Sequence, residues 1–461
     1  MATLRFIGLS VAVFFSLLPF TFAGDGPDLA VCGITNLAQY GRVGDIGSGT
    51  VGLAFGTSHY NTGTVGVLWT PAPSTNHPLF TQNLYRRSMV NGAVRFEQIG
   101  HSWVFNSYCP LQEQTCAACT PDSTCGPTLG PGCATSHSAG NNASQSNLSA
   151  RGFVNPFTGS YPSTLNSHAH THTPISHRLQ VKDADLSVPG AVYFAESHAV
   201  THDDAMSGNQ YNNVGYRQTS VTGPNVSGTF GFVLVGGTIS ESPAIYAWTG
   251  ATHVEIDPTP GTDGRLIVAY DVTALPAGGY RYEYAIYNMN NDAGVGGFSV
   301  PASACTAISN IGFHAVRNHA AEPDAPSYSN DPWASAVGGG EVAWTTESFA
   351  VNPNANAIRW GTMYNFRFDS DRPPTGAVAN ITLFKTGGTT AVAVLAPDAP
   401  AALAADINGD CLTDDADVVT LVDVLLGADT DPDHMSAADL DESGAADGVD
   451  IGAFVAALIN P

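Results

Sequence analysis

The chain has 461 residues, and its 40 Asp and Glu residues against 16 Lys and Arg residues give a formal net charge of −24 at pH 7. This excess of negative charge argues against nucleic acid or an anionic membrane surface as a partner, because both are themselves negative. The length allows one large domain or two ordinary domains with sizeable cores, besides shorter terminal segments.

The N-terminal segment 1–23 has the pattern of a cleaved secretory signal. Arg5 precedes an apolar run that ends at Phe22, and the small side chains of Thr21 and Ala23 stand at the two positions that signal peptidase requires. An uncleaved membrane anchor is the alternative, although the run is marginal for the ~20 residues that a span needs. We therefore expect a secreted or cell-surface-associated protein with no membrane span after signal cleavage.

A cysteine-rich insertion at about 109–150 is predicted within an N-terminal β region that covers residues 24–176. The spacing Cys116-Ala-Ala-Cys119 would suit a redox or zinc site in the cytosol, but behind a signal peptide disulfide bonds are the better hypothesis. The cluster contains an odd number of cysteines, so Cys32 or Cys305 is expected to join it, and the pairing stays open. The candidate disulfide cysteines are Cys32, Cys109, Cys116, Cys119, Cys125, Cys133 and Cys305.

Histidines gather behind a stretch that is rich in Ser and Asn. On an extended strand, side chains at alternate positions project from one face, and imidazole nitrogens suit zinc or copper. A polar loop is the favoured interpretation, since residues typical of strands do not flank the run. A metal here would suit metal-assisted hydrolysis or oxidation. The candidate ligands of such a transition metal are His168, His170, His172, His198 and His202.

Alternating residues predict further strands over residues 177–395, and clusters of Gly, Pro and Asn separate them. The expected fold is mostly β, with one or two antiparallel β-sandwich-like units. A small-residue linker at 396–405 and a small helical module at 406–461 are expected to follow. In one predicted strand, one face would carry Tyr280, Tyr282, Tyr284 and Ile286, and the other Arg281 and Glu283.

Catalytic signatures are weak in this β body. It has no Gly-x-Ser-x-Gly elbow, no Walker loop and no His-Glu-x-x-His motif. The spacing of its acidic residues selects no pair for glycoside cleavage, and each acid is expected on a strand surface or in a turn. These acids are Glu196, Glu283, Asp292, Glu341 and Glu347.

Five of the six tryptophans raise the alternative of a polysaccharide-binding surface, because indole rings stack on sugars. Burial in the core is nevertheless the favoured interpretation. The segments 96–103, 311–314 and 359–367 look similar to uncharacterised secreted bacterial proteins, which implies a shared β scaffold and no activity. The tryptophans are Trp103, Trp248, Trp333, Trp344 and Trp360.

The C-terminal segment, 406–461, contains one oxygen-rich loop pattern twice, first from Asp406 and again from Asp439. Both copies place oxygen-bearing side chains at loop positions 1, 3, 5, 9 and 12, and a carbonyl at position 7 would complete the six to eight oxygens that calcium prefers. Each copy runs into apolar residues at helical spacing, and Gly427 is expected to end the first helix. The predicted ligands are Asp406, Asn408, Asp410, Leu412, Asp414 and Asp417 for one ion, and Asp439, Asp441, Ser443, Ala445, Asp447 and Asp450 for the other.

The charge of this tail supports the same interpretation. Residues 406–461 hold 14 Asp or Glu residues and no Lys or Arg. Without cations such a segment repels itself, so we expect folding and metal binding to be coupled. A solubilising acidic tail is the alternative, but the regular apolar spacing favours two helices that pack on each other.

This duplicated loop-helix arrangement resembles the type I dockerin, a module with EF-hand-like calcium loops, over residues 406–461 alone. The resemblance implies two calcium ions held by the residues just given, and calcium-dependent docking onto a cohesin-like or other extracellular protein. It also implies a place for the body in polysaccharide degradation, because such modules are often appended to plant-wall hydrolases, but it names no catalytic residue.

Two features depart from the dockerin pattern. Cys411 occupies loop position 6, where glycine is common, and is expected to strain the loop or weaken its site. The residue pairs that touch the partner in the family are Asp415-Ala416 and Gly448-Val449, which lack the hydroxyl groups of well-known cohesin binders. The sequence thus predicts a secreted calcium-binding protein with a docking tail and a body of unknown activity. A polysaccharide-degrading, glycoside hydrolase-type component and a His-rich zinc or copper metalloenzyme are the alternatives.

Overall fold

The regular secondary structure of the described chain is mostly β, and its strands pair antiparallel, as the alternating sequence predicts. The predicted signal peptide, residues 1–23, and His168 lie outside the residues that the structure describes. No helix within the described residues is both long and apolar enough to cross a membrane. The computed structural model describes residues 25–71, 73–165, 170–323, 325–399, 403 and 405–459.

Thirteen strands of the described chain build a first unit of two facing sheets and a small ribbon. They are β1 Leu29–Val43, β2 Thr50–Asn61, β3 Val67–Leu68, β4 Leu79–Val90, β5 Ala93–His101, β6 Val104–Asn106, β7 Thr128–Leu129, β8 Ala134–His137, β9 Leu148–Ser149, β10 Leu179–Lys182, β11 Val192–Val200, β12 Val214–Thr222 and β13 Gly231–Ile239. One sheet has the order β1-β2-β10, with β8 also on β2, and the facing sheet has the order β13-β12-β11-β4-β6-β9, with β5 on β4. Buried residues such as Leu53, Leu84 and Tyr193 pack between the two sheets.

A second sandwich follows. Its strands are β14 Thr252–Ile256, β15 Leu266–Ala274, β16 Tyr280–Asn288, β17 Val295–Pro301, β18 Ile308–Ala315, β19 Ala334–Gly338, β20 Glu341–Thr345, β21 Thr362–Ser370, β22 Pro374–Leu383 and β23 Thr389–Pro397. The sheet orders are β14-β15-β16-β21-β18 and β19-β20-β17-β22-β23. An aromatic-rich core between them includes Tyr284, Phe298 and Trp344.

The two units also pack against each other through a third apolar cluster. Tyr85 and Phe96 of the first unit meet Ala285 and Tyr287 of β16 in this cluster. The predicted boundary at residue 176 is wrong, because β10 pairs with β2 and β11 pairs with β4. Strands after the long insertion return to sheets begun before it, which the order of strands along the chain does not reveal.

The polar face of β16 is buried at the junction of the units. Its aromatic residues, such as Tyr284, point into the second core, as the alternation predicts. On the other face Glu283, only 1 % exposed, accepts hydrogen bonds from Arg95 of β5 at 2.7–3.2 Å, and Arg281 pairs with Asp369 at 2.7 Å. The predicted strand-surface position is therefore wrong for Glu283. Alternation within one strand identifies a polar face, but it does not show whether solvent or a second sheet covers that face.

Four disulfide bonds join all the cysteines of the chain, as the compartment argument predicts. Cys32, and not Cys305, completes the cysteine-rich cluster. Cys305 instead reaches Cys411, which the sequence did not identify as a disulfide partner. The pairs are Cys32–Cys116, Cys109–Cys125, Cys119–Cys133 and Cys305–Cys411. The last pair covalently ties the C-terminal module to the second sandwich.

Helices are short in the body and longer in the C-terminal module. They are α1 Ala139–Asn142, α2 Asp183–Leu186, α3 His202–Met206, α4 Asp415–Leu425, α5 Pro432–Ala438 and α6 Asp450–Ile459. Gly427 follows α4 with a φ of +68°, which confirms the predicted end of that helix. Helix α5 was not predicted, although Asp431 as N-cap and Pro432 at the first helical position are a recognisable start signal. The module has its own small core, which includes Leu421 and Phe454.

Candidate functional site

The two predicted calcium loops follow the same backbone path. We call residues 406–417 loop 1 and residues 439–450 loop 2. Left-handed φ angles occur at positions 4 and 6 of both loops: +70° and +73° at Gly409 and Cys411, and +56° and +96° at Glu442 and Gly444. Such residues turn the chain sharply. The sequence repeat is therefore also a structural repeat.

The aspartate at position 12 closes each loop onto its helix. The carboxylates of Asp417 and Asp450 are fully buried, and each accepts three backbone hydrogen bonds from positions 2, 3 and 9 of its own loop. Hydrogen bonds from the backbone N–H groups of Asp447 and Asp441 hold the pKa of Asp450 below its ordinary value. The donors are Ile407, Asn408 and Asp414 in loop 1, and Leu440, Asp441 and Asp447 in loop 2, at 2.7–3.1 Å.

The remaining acidic side chains leave oxygens that suit a calcium ion. Asp406 and Asp439, at position 1, each accept a hydrogen bond from the backbone N–H of position 6, at 2.9 and 2.7 Å. The other oxygen of Asp406, Oδ1, is buried and accepts no hydrogen bond within the described part of the chain. Oxygens of Asp439, Asp441 and Asp450 lie within 4.8 Å of one another. Ligands at 2.3–2.6 Å from one calcium ion can be up to roughly 5 Å apart, so one ion can contact all three.

The loops differ at position 6. Gly444 of loop 2 has open space around it, whereas Cys411 of loop 1 is bonded to Cys305. Cys411 adopts the left-handed conformation that glycine adopts more readily. The disulfide therefore holds loop 1 in a backbone shape that loop 2 reaches through glycine alone.

Each repeat of the module also exposes an apolar stripe to solvent. Leu421 and Phe454, which occupy equivalent positions in the two repeats, are buried in the module core. The expectation that the whole apolar face of each helix packs inward is therefore wrong in part. The residues of the two exposed stripes are 37–77 % exposed and occupy equivalent positions in the two repeats: Val418, Val422 and Leu426 on α4, and Ile451, Val455 and Ile459 on α6.

The structure brings together only part of the predicted histidine site. His170 and His172 lie with His177, which the sequence argument did not include among the ligands. His198 is buried near Trp360, where burial and then the charge of Arg151 lower its pKa to about 3. His202 begins α3 and donates from Nδ1 to the carbonyl of Thr158 at 2.8 Å. In the described chain neither joins the group of three.

The candidate carboxylates of a glycoside hydrolase have other partners. Glu196 is fully buried and accepts hydrogen bonds from Asn83, Tyr85 and the backbone of Ala244. Burial raises the pKa of Glu196, and these hydrogen bonds oppose the shift. Glu283 pairs with Arg95, and Asp292 with Lys385. Like Glu283, Glu196 is a core acid, so the predicted surface position is wrong for it as well.

The five tryptophans are all buried, with at most 6 % of each residue exposed, which favours the core interpretation over a sugar-binding face. No family model, curated protein or solved structure matches this chain. Within the chain itself, the loop-helix unit of the C-terminal module is repeated in both sequence and backbone shape.

Proposed function

We propose that this chain is a secreted calcium-binding protein whose C-terminal module, residues 406–461, docks onto another extracellular protein when calcium is bound. The observation that carries the proposal is the equivalent geometry of loops 1 and 2, down to three hydrogen bonds at each closing aspartate. The four disulfides agree with an oxidising, extracellular compartment. Calcium is plentiful in that compartment.

Calcium would be held by the oxygens at positions 1, 3, 5, 7, 9 and 12 of each loop. When bound, it supplies positive charge to a module that has 14 acidic residues and no Lys or Arg. The chain itself orients these oxygens. Asp417 and Asp450 bind the start of each loop to the start of the following helix. Calcium binding would thereby fix the relative position of α4 and α6.

The exposed apolar stripe of each repeat supplies a surface for docking. Two short helices present six apolar side chains that the module does not bury, and unburied apolar patches of this kind mark interaction sites. The surrounding surface is acidic, because the module has no Lys or Arg. We therefore expect a cohesin-like partner whose apolar patch is bordered by basic groups.

Calcium binding is tested by titrating the chelator-treated full-length protein with calcium in a calorimeter. We expect two equivalents for the wild type and one for Asp439→Ala, which loses the ligand at position 1 of loop 2. Asp423→Ala, which removes an exposed acid of α4 outside both loops, should still bind two. Failure of the wild type to bind calcium, or two equivalents in Asp439→Ala, would refute the loop assignment.

Docking is tested by measuring binding of the full-length protein to a panel of immobilised cohesin modules in calcium and in chelator. Val422→Lys combined with Val455→Lys should weaken a calcium-dependent interaction by tenfold or more, since the two changes place a charge on the stripe of each repeat. Ala453→Lys adds a charge on another face of α6 and should leave binding unchanged. Equal loss in the control variant, or binding that persists in chelator, would argue against docking through the stripe.

A further inference from the structure

A second group of possible metal ligands lies in the body, away from the calcium loops. His170, His172 and His177 offer ring nitrogens that all lie within 4.8 Å of one another. Glu322 adds a carboxylate, which contacts Nε2 of His170 and lies 2.6 Å from Nε2 of His177. The three imidazoles thus lie within reach of one ion, and the Glu322 carboxylate borders two of them.

His177 is held in the orientation that a metal ligand needs. Its side chain is fully buried and its ring stacks on Trp103, with the ring centroids 3.7 Å apart. Nδ1 donates to the backbone carbonyl of Gln145 at 3.0 Å. A neutral imidazole carries one N–H, so Nε2 then faces the Glu322 oxygen with its lone pair. A second proton or a metal ion between them makes this contact favourable, and metal-bound histidines usually donate their other N–H to a carbonyl in this way.

The cluster also bridges the two units of the body. His170 to His177 belong to the loop that leads into β10 of the first unit, whereas Glu322 lies between β18 and β19 of the second. His170 and Glu322 line a pocket of about 400 Å³, and each of their side chains is 12 % exposed. An ion can therefore enter from solvent, while His177 forms the buried end of the site.

We propose that His170, His172, His177 and Glu322 bind a divalent transition-metal ion of the zinc or copper class, and that the ion fastens the histidine loop of the first unit to the second unit. Nitrogen and carboxylate ligands suit these metals, and four of them fill a tetrahedral shell. In such a shell the ligand atoms lie roughly 3.3–3.4 Å apart. The histidine nitrogens, now within 4.8 Å of one another, would draw together, and the Glu322 oxygen, now 2.6 Å from Nε2 of His177, would move back by somewhat under an ångström to admit the ion. The calcium loops offer only oxygen ligands and select a different kind of ion.

The test is calorimetric titration of the metal-stripped full-length protein with Zn²⁺, and separately with Cu²⁺, in saturating calcium so that loops 1 and 2 are occupied. We expect one tight equivalent, and a melting temperature that rises by several degrees, on the order expected for a hundredfold excess over the Kd. His172→Ala and Glu322→Gln should each weaken binding by about tenfold or more. His202→Ala, a histidine outside the cluster, should change neither affinity nor stoichiometry.

X-ray absorption at the edge of the bound metal supplies a measurement on the unaltered protein. Three imidazole ligands are expected, and His170→Gln should reduce the number to two. The proposal is overturned if the wild type binds neither metal tightly, if absorption shows fewer than three imidazoles in the wild type, or if His202→Ala abolishes binding. A failure of calcium to bind would leave these readouts intact, since none of the four ligands belongs to the C-terminal module.

Discussion

Loop 1 and loop 2 share one backbone shape but maintain it by different means. At position 6, loop 2 has Gly444, and nothing lies within 4 Å of the place where a Cβ would stand. Loop 1 has Cys411 in the left-handed conformation, at a cost of about 1–2 kcal/mol relative to glycine. Cys305 belongs to the folded second sandwich, so while the body stays folded its bond to Cys411 closes only the segment from the end of β23 at Pro397 to Cys411. For a loop of that length, the cross-link stabilises the closed state by about 3 kcal/mol.

At Cys411 the stabilisation by the disulfide and the strain of the left-handed backbone oppose each other. The cross-link outweighs the backbone strain, so Cys411 is expected to make loop 1 the more firmly held of the two. The strain predicted at Cys411 is therefore more than offset by the disulfide. One copy of a duplicated module can thus be fixed to its neighbouring domain while the other copy is held by its own backbone and its ligand alone.

The largest expected effect comes from removing the closing carboxylate of the free loop. Asp450→Ala leaves three backbone N–H groups without an acceptor, at about 1–3 kcal/mol each, and also removes a calcium ligand. We expect repeat 2 to unfold at ordinary calcium. In hydrogen-exchange mass spectrometry the amides of α6 should then exchange as in an unstructured peptide, while peptides of α4 stay protected.

Asp417→Ala is the matched change in the tethered loop. It should release α4 but leave the amides next to Cys411 partly protected, because the disulfide still restrains them. Loss of protection in both helices from either variant would mean that the module unfolds as one cooperative unit. A module equally helical in chelator and in calcium would contradict the coupling of folding to calcium altogether.

The next effect in size comes from cutting the tether. Cys305→Ser combined with Cys411→Ser should destabilise loop 1 and α4 by about 3 kcal/mol against local unfolding. Exchange of α4 amides should accelerate accordingly, and exchange of α6 amides should change little. Cys109→Ser combined with Cys125→Ser removes a disulfide of the body and should leave both helices unaffected. An unchanged rate in α4 would show that the tether does not stabilise loop 1.

Substitutions at position 6 of the two loops measure the backbone strain by itself, and their expected effect is smaller. In a Cys305→Ser background, Cys411→Gly should make loop 1 more stable than Cys411→Ser by about 1 kcal/mol, because only glycine adopts this φ without strain. The reciprocal change, Gly444→Ala, should destabilise loop 2 by a similar amount, since no neighbouring atom adds a clash. Each kcal/mol corresponds to roughly a fivefold change in the calcium affinity of that loop, measured by calorimetry. Equal affinities for the two Cys411 variants would contradict the argument.

The sequence predicted those parts of the fold that depend on neighbouring residues and missed those that depend on partners far away in the chain. The alternation at 280–286 is local and correctly gave β16 and its aromatic face. The partner of Glu283 is Arg95, 188 residues away, so its burial had no local signal. The predicted boundary at residue 176 failed for the same reason, because β10 and β11 pair with strands far earlier in the chain.

The calcium loops were predictable from local spacing, whereas the complete histidine cluster was not. Loops 1 and 2 each occupy one short, uninterrupted stretch of chain, so the spacing of their oxygens was sufficient to predict the two closed loops. Glu322 lies 145 residues from His177, and no pattern in the histidine run indicates it. Cysteine parity pointed to Cys32 or Cys305 as the additional partner of the cluster, but it could not show that Cys305 bonds to Cys411, 106 residues later.

The smallest effect concerns the segment between the loops, where His434 of α5 lies 2.7 Å from Asp429. The hydrogen bond from His434 to Asp429 raises the pKa of His434 above its ordinary value near 6.5. A raised pKa means that the pair stabilises the folded module fully below pH ~6.5 and loses this contribution as the pH rises through the folded-state pKa. The lowered pKa of Asp450 has the opposite effect on the pH dependence of stability, because its contribution is lost only as the pH falls through the acidic range.

In saturating calcium, the loss of the His434 contribution should make the protection of α5 amides decrease slightly between pH ~6 and ~8, after correction for intrinsic exchange, and His434→Gln should abolish that slope. A slope that persists in His434→Gln would place the titrating group elsewhere, in the body or at its junction with loop 1.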